Sequence, residues 1–142
     1  MKTSCLHLFI AFTLCFSTQS MAQELKDYKW KNRLVLVIGN NTNNTTFTQQ
    51  LEVLENDNQG LNERRLKLFK VLPNKYQLDE EVWVEGSLIF DKYNANKDPF
   101  RIILIGLDGG IKLSQSTVIS KKDLFDLIDS MPMRSSELRS KN

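Results

Sequence analysis

The run Leu34 to Gly39 reads Leu-Val-Leu-Val-Ile-Gly, apolar without a break and rich in β-branched residues. A strand covered on one face alternates, so an unbroken run predicts a central strand covered on both. The polar loop Asn40 to Thr46 follows, with Thr45 or Thr46 able to cap a helix. Phe47, Leu51 and Leu54 then recur on one helical stripe, and Gly60 is the expected stop. Leu66 to Leu72 reads as a second strand ended by Pro73. Asp79 to Tyr93 is ambiguous. Val82, Gly86, Ile89 and Tyr93 share a helical face behind an acidic first turn, whereas Val82-Trp83-Val84 fits a short strand; helix is the favoured reading. Phe100 to Ile105 is a further buried strand, Asp108-Gly109-Gly110 a tight turn, and Ile111 to Ser114 the antiparallel return. Ser120 with Asp123 forms a capping box that opens a helix carrying Leu124, Phe125, Leu127 and Ile128, with Pro132 at its end.

The order is therefore β-α-β-(α)-β-β-α. A right-handed crossover makes the first two strands parallel, and the hairpin adds antiparallel ones. This is the order of the thioredoxin topology, an α/β three-layer sandwich with a central mixed sheet flanked by helices, although other small α/β domains share it.

The first residues change the chemistry open to the chain. Met1 to Ala22 has the form of a secretory leader: Lys2, an apolar stretch from Leu6 to Phe16, and small residues at Ser20 and Ala22. That stretch is far shorter than the roughly twenty residues a spanning helix needs. The expectation is cleavage after Ala22 with no stable membrane insertion, leaving one domain over 23–142, its core at about 25–134 and a frayed tail from Ser135 to Asn142. Lipidation at Cys15 is disfavoured by the bulky Leu14 before it. Cys5, Cys15 and His7 all leave with the leader. Thiol redox chemistry, Ser-His-Asp and Cys-His catalysis, and a His/Cys metal site then have no residues to run on. No metal and no cofactor are expected. The chain has 19 Lys plus Arg against 17 Asp plus Glu, and loss of Lys2 leaves about +1. This near-neutral balance gives no footprint for nucleic acid and no polybasic case for a membrane surface.

Three stretches carry more than topology: Tyr28-Lys29-Trp30-Lys31-Asn32-Arg33, then Ile103 to Lys112 (Ile-Leu-Ile-Gly-Leu-Asp-Gly-Gly-Ile-Lys), and Ile128-Asp129-Ser130-Met131-Pro132-Met133-Arg134. Together they resemble family 4174 of the domains of unknown function, the P-DUDES domain, over roughly Leu25 to Arg139. The last stretch is the most specific. The resemblance implies a thioredoxin-like, peroxiredoxin-like fold and a small exported protein, and it implies no reaction. A peroxiredoxin carries its thiolate after the central strand, which corresponds here to Asn40 through Gln50. Asn, Thr, Phe and Gln stand there, so the resemblance implies no peroxide reduction. Arg101 is similar in place to the arginine that peroxiredoxins set beside the thiolate, and without a thiolate its expected role is to pair with a carboxylate.

Each candidate has an ordinary reading beside the functional one. The loop containing Asn40 and Asn41, with Gln49 beyond it, lies where open α/β sheets bind ligands; its ordinary reading is a solvated loop with a cap. Asn40-Asn41-Thr42, Asn43-Asn44-Thr45 and Asn44-Thr45-Thr46 are also glycosylation sequons, relevant only in a eukaryotic secretory route. Asp79, Glu80, Glu81 and Glu85 form an acidic cluster, more simply a helix first turn than a catalytic pair. Asp108 reads as a turn residue before a metal ligand. Met131, Met133 and Arg134 offer a partner surface, but the two methionines also suit closure of the core below the last helix. Trp30, Lys29, Lys31 and Arg33 read first as a covered sheet edge with snorkelling cations. The reading that follows is an exported, periplasmic or secreted, non-catalytic binding or interaction module, with an extracytoplasmic protein as partner and Asn40, Asn41, Gln49 and Arg101 as candidate binding residues. The alternatives are an accessory redox protein that binds a thiol or disulfide partner without a thiol of its own, and a structural envelope or matrix protein.

Overall fold

The computed structural model describes residues 25–140. The leader predicted over Met1 to Ala22, with both cysteines and the histidine, lies outside the described residues. After a 3-10 turn at Lys26–Tyr28 come β1 (Arg33–Gly39), α1 (Thr45–Glu55), α2 (Asn58–Glu63), β2 (Leu66–Leu72), β3 (Lys75–Leu78), β4 (Val84–Glu85), α3 (Ile89–Tyr93), β5 (Phe100–Ile105), β6 (Ile111–Gln115), α4 (Lys121–Asp129) and α5 (Pro132–Arg139). One six-stranded sheet runs β4-β3-β2-β1-β5-β6.

β1 is buried along its whole length, as its unbroken apolar run predicts. It pairs parallel with β2, from Arg33 opposite Leu66 to Ile38 opposite Val71, because the chain crosses over through α1 and α2. On its other side it pairs antiparallel with β5. The two faces of the strand feed two cores. Val35 and Val37 join Leu68, Ile102 and Leu104 beneath Phe47, Leu54, Leu124 and Ile128 of the helices. Leu34, Leu36 and Ile38 join Phe69, Val71 and Ile103 against Ile89 and Phe90 of α3, with Tyr28 at the margin. This is the expected α/β sandwich, thicker on the α1/α4 side.

Five local expectations are corrected. The cap of α1 is Asn44 rather than Thr45 or Thr46: its Oδ1 accepts from the Phe47 N–H at 3.0 Å. Gly60 stops nothing. It lies inside α2, which Asp57 caps, and an added Cβ would come within 2.7 Å of the Phe125 ring, so close packing is what requires glycine. Asp79 to Tyr93 is not one helix. Pro73-Asn74 is a two-residue link between β2 and β3, whose pairing sets Leu72 opposite Lys75. Asp79, at φ 46°, ends β3 and spends its carboxylate on the Leu68 N–H and on Lys67, at 3.0 and 2.7 Å. That leaves a two-residue β4 and a five-residue α3.

Pro132 opens α5 rather than merely ending α4, since a missing N–H costs nothing in a first helical turn. The tail is therefore helical through Arg139 where fraying was expected, and Glu137 on it is hydrogen-bonded to Arg33 at the start of β1. The capping box stands as read: Ser120 Oγ accepts from the Asp123 N–H at 3.0 Å and donates to its carboxylate at 2.7 Å.

Candidate functional site

At the C-terminal end of β1, the polar loop satisfies itself. Asn40 Oδ1 accepts from the side-chain amides of Asn41 and Asn44, and Asn44 also donates to the Pro99 carbonyl at 2.9 Å. Asn40, Asn41 and Gln49 are exposed. Its neighbour Gln50 is the buried one, exchanging two hydrogen bonds with the Ile119 backbone. Arg101, opposite Ile38, pairs with Asp98 through Nε and Nη2 at 3.1 and 2.5 Å and donates from Nη1 to Ser114. The fold thus gathers Asn40 and Asn41 in one hydrogen-bonded loop and gives Arg101 the carboxylate partner expected of it.

The other end of β1 is built differently. Arg33 opens the strand and is only 1 % exposed. Its Nη1 donates to the Arg64 carbonyl at 2.9 Å and to both oxygens of Glu137 at 3.2 Å. Its Nε and Nη2 are buried without a hydrogen-bond partner. Arg134 reaches the same cluster from α5, donating to Asp129, to Glu137 and to the Glu63 carbonyl. Arg64 adds a 2.6 Å contact to Asp129 and lies 4.0 Å over the Phe125 ring. Burial by itself would raise the pKa of Glu137 and of Asp129. The hydrogen bonds from Arg33 to Glu137, and from Arg64 and Arg134 to Asp129, outweigh it and hold both below their ordinary values.

Above this cluster sits a cavity of about 280 Å³. Arg33 lines it, together with Met131, Pro132 and Met133 from one stretch of the chain and Gly106, Leu107, Asp108 and Lys112 from another. Asp108 accepts from Lys112 at 2.7 Å and from the Gly110 N–H at 3.0 Å, and those bonds, the lysine's first, hold its carboxyl below the ordinary range. Beside this cavity a shallower one is bounded by Trp30, Arg65, Leu107 and Met133. Trp30 is 60 % exposed, with φ at +66°, and its backbone N–H donates to the Leu107 carbonyl at 2.7 Å. The covered edge expected of Trp30 is not what forms. A large aromatic is instead held on the surface in left-handed backbone, a costly conformation that clusters at functional positions.

The expected partner surface is divided by the fold. Met133 is 39 % exposed and Met131 packs partly against the core, but Arg134 is 4 % exposed and belongs to the buried ion cluster. Sequence reading missed Arg33 as a site residue, taking it for a snorkelling cation. The signal in sequence is only its place: Arg33 directly precedes an unbroken apolar strand, at the edge of the core. Asp108 forms its turn as read and pairs with Lys112; among the described residues no group of three or more His, Cys, Asp or Glu could hold a metal.

The fold and this arrangement define a thioredoxin-like α/β domain. In line with that, the structure is similar to the crystal structure of Plasmodium vivax 2-Cys peroxiredoxin in its reduced form, with a TM-score of 0.58 and 10 % identity over 79 % of this chain and 72 % of that one. At that identity the likeness speaks to fold alone. Residues 24–137 match the family described as Domain of unknown function (DUF4174), and the chain belongs to that family.

Proposed function

We propose that the protein is an exported, non-catalytic binding module built on a thioredoxin-like frame, and that its binding site is the cavity over Arg33 rather than the loop at Asn40. One observation carries this reading. Every residue bounding the cavity, from Arg33 through Gly106, Leu107, Asp108 and Lys112 to Met131, Pro132 and Met133, falls within the three stretches that set this sequence apart. Segments about seventy and twenty residues apart in the chain meet there and nowhere supply a thiol or an imidazole. Absence of Cys and His from 23–142 supports a non-catalytic role, and the leader-like Met1 to Ala22 supports export.

Residues 23–142, incubated with a small-molecule extract of the exported fraction, desalted and denatured, release what they have bound for mass spectrometry. The expected result is a compound retained by the native sequence and by an Asn40→Ala, Asn41→Ala, Gln49→Ala variant, and lost with Met133→Asp. Loss in the triple variant alone moves the site to the Asn40 end. Peroxide consumption by the same protein, if found, overturns the non-catalytic reading.

A further inference from the structure

The geometry points to a ligand class for the cavity over Arg33: we infer that it takes a small carboxylate with a short apolar body, the carboxylate meeting the guanidinium and the body lying against Met131, Met133 and Leu107. This deepens the binding reading above and rests on it.

The charge balance is the first argument. Arg33, Arg64 and Arg134 share two carboxylates, Asp129 and Glu137, in one cluster. Arg65 stands near enough to Glu137 to contribute to its lowered pKa. Glu63 lends the cluster only its carbonyl, its side chain accepting from Gln59 at 2.9 Å. At the cavity wall Asp108 and Lys112 cancel each other. Counted with Arg65, four cations face two carboxylates in the cluster, so positive charge is in excess around the buried Arg33 and Arg134, and an uncompensated buried ion is costly. The second argument is the pair of unused donors on Arg33, Nε and Nη2, which lie on one edge of the guanidinium and match the two oxygens of a carboxylate; they are covered in this structure, so binding moves the side chains that cover them. The third is the wall. Leu107, Met131, Pro132 and Met133 give a mostly apolar lining with a few polar groups, the usual make-up of a small-molecule site. A volume of about 280 Å³ is at the low end of such sites, so the ligand is small. A bare inorganic anion leaves the apolar wall uncovered, and a neutral alcohol leaves the charge uncovered; a short carboxylate meets both.

Four probes separate the terms: hexanoate, N-acetylleucine, 1-hexanol and inorganic phosphate, each titrated into ¹⁵N-labelled residues 23–142 while the Arg33 Nε–H resonance is followed. Hexanoate stands for a free acid and N-acetylleucine for the C-terminal residue of a peptide, and whichever binds more tightly names the source. The expected result is saturable movement of the Arg33 resonance with one or both carboxylates, and none with hexanol or phosphate at equal concentration. Met133→Asp sets a negative charge at the cavity mouth, in a helix first turn that tolerates it, and is expected to weaken carboxylate binding about tenfold without touching the buried cluster. Arg33→Lys keeps the cation and removes the free guanidinium edge; it is expected to abolish saturation, read by the Lys112 amide. Binding of hexanol or phosphate as tight as that of the carboxylates, equal binding by both variants, or no movement with any probe overturns the inference. In the last case a compound retained from the extract still supports the binding reading, so the two fail separately.

Discussion

At the C-terminal end of β1, the side-chain amides of Asn40, Asn41 and Asn44 bond one another and the Pro99 carbonyl on open surface. At its N-terminal end, Arg33 lies buried with two of its three guanidinium nitrogens unbonded, beside a cavity lined in part by methionine, leucine and proline. One strand therefore carries a self-satisfied pole and an unsatisfied one. The first is the C-terminal end of a central strand, where open α/β sheets bind ligands, and here the amides of Asn40, Asn41 and Asn44 already have partners. The second holds the groups for which folding alone provides no partner, and such groups cost free energy unless something meets them. Unmet polar groups, rather than the position a fold makes customary, are what single out one end of the strand as a candidate site.

The sharpest way to break the contrast is Arg33→Ala. It removes one of the two cations to which Glu137 is bonded, the other being Arg134, and opens space beneath α5; truncating a large buried side chain to alanine costs about 2–5 kcal/mol. The expected outcome in urea unfolding is a loss of that order with α5 undocked. A change below about 1 kcal/mol, the range of exposed ion pairs, sinks the view that this pole is buried and structural.

How much of this was legible depended on which interactions were local. The run Leu34 to Gly39, the Ser120 to Asp123 capping box and the Asp108 to Gly110 turn are decided by neighbours in sequence, and they form as read. Arg33, Arg134 and Glu137 could not be weighed that way. Arg33 and Glu137 lie 104 residues apart in the chain and Arg134 lies 71 from the Glu63 carbonyl it bonds, and the helix that carries Arg134 and Glu137 reads as a tail because Pro132 signals a stop and a start equally well. β3 was lost for a similar reason: Pro73 read as an end, where Pro73-Asn74 is a hairpin link. At the Asn40 end the candidate residues were found, since polar runs after a central strand are conspicuous, but their mutual hydrogen bonds were invisible in sequence.

Acid sharpens the contrast next. Glu137 and Asp129 are held below their ordinary values of 4.5 and 3.8. A carboxyl with a depressed folded-state pKa contributes stability above its unfolded value and loses it as pH falls through the folded one. Stability is expected to hold from neutral pH to about pH 4.5 and then to fall as Glu137 and Asp129 take up protons, leaving the arginines to repel each other. Glu137→Gln is expected to be less stable at pH 7 and to lose less on acidification. An unchanged acid slope in that variant, measured by urea unfolding across pH 3–7, disconnects the cluster from acid sensitivity.

Gly60→Ala probes the support under the same pole. The added Cβ would meet the Phe125 ring on which Arg64 lies, and Arg64 also donates to the Gly60 carbonyl at 3.1 Å. Overpacking of this kind costs about 1–3 kcal/mol. The Arg64 and Phe125 resonances are expected to move with it, while those of Asn40 to Asn44 stay in place.

The smallest effects belong to the Asn40 end, and they divide it internally. Asn44→Ala removes the cap of α1 together with the link to Pro99, and is expected to cost about 1 kcal/mol, the ordinary worth of an N-cap. The Asn40→Ala, Asn41→Ala, Gln49→Ala variant removes exposed groups only, and its total loss is expected to stay within about 0.5 kcal/mol, below that of Asn44→Ala. Thermal unfolding of the two beside the native sequence reads the ordering directly. If the triple variant loses more than Asn44→Ala, the Asn40 amide holds the loop rather than decorating it. That pole then has a structural task of its own, and the asymmetry between the ends of β1 narrows to the one buried guanidinium.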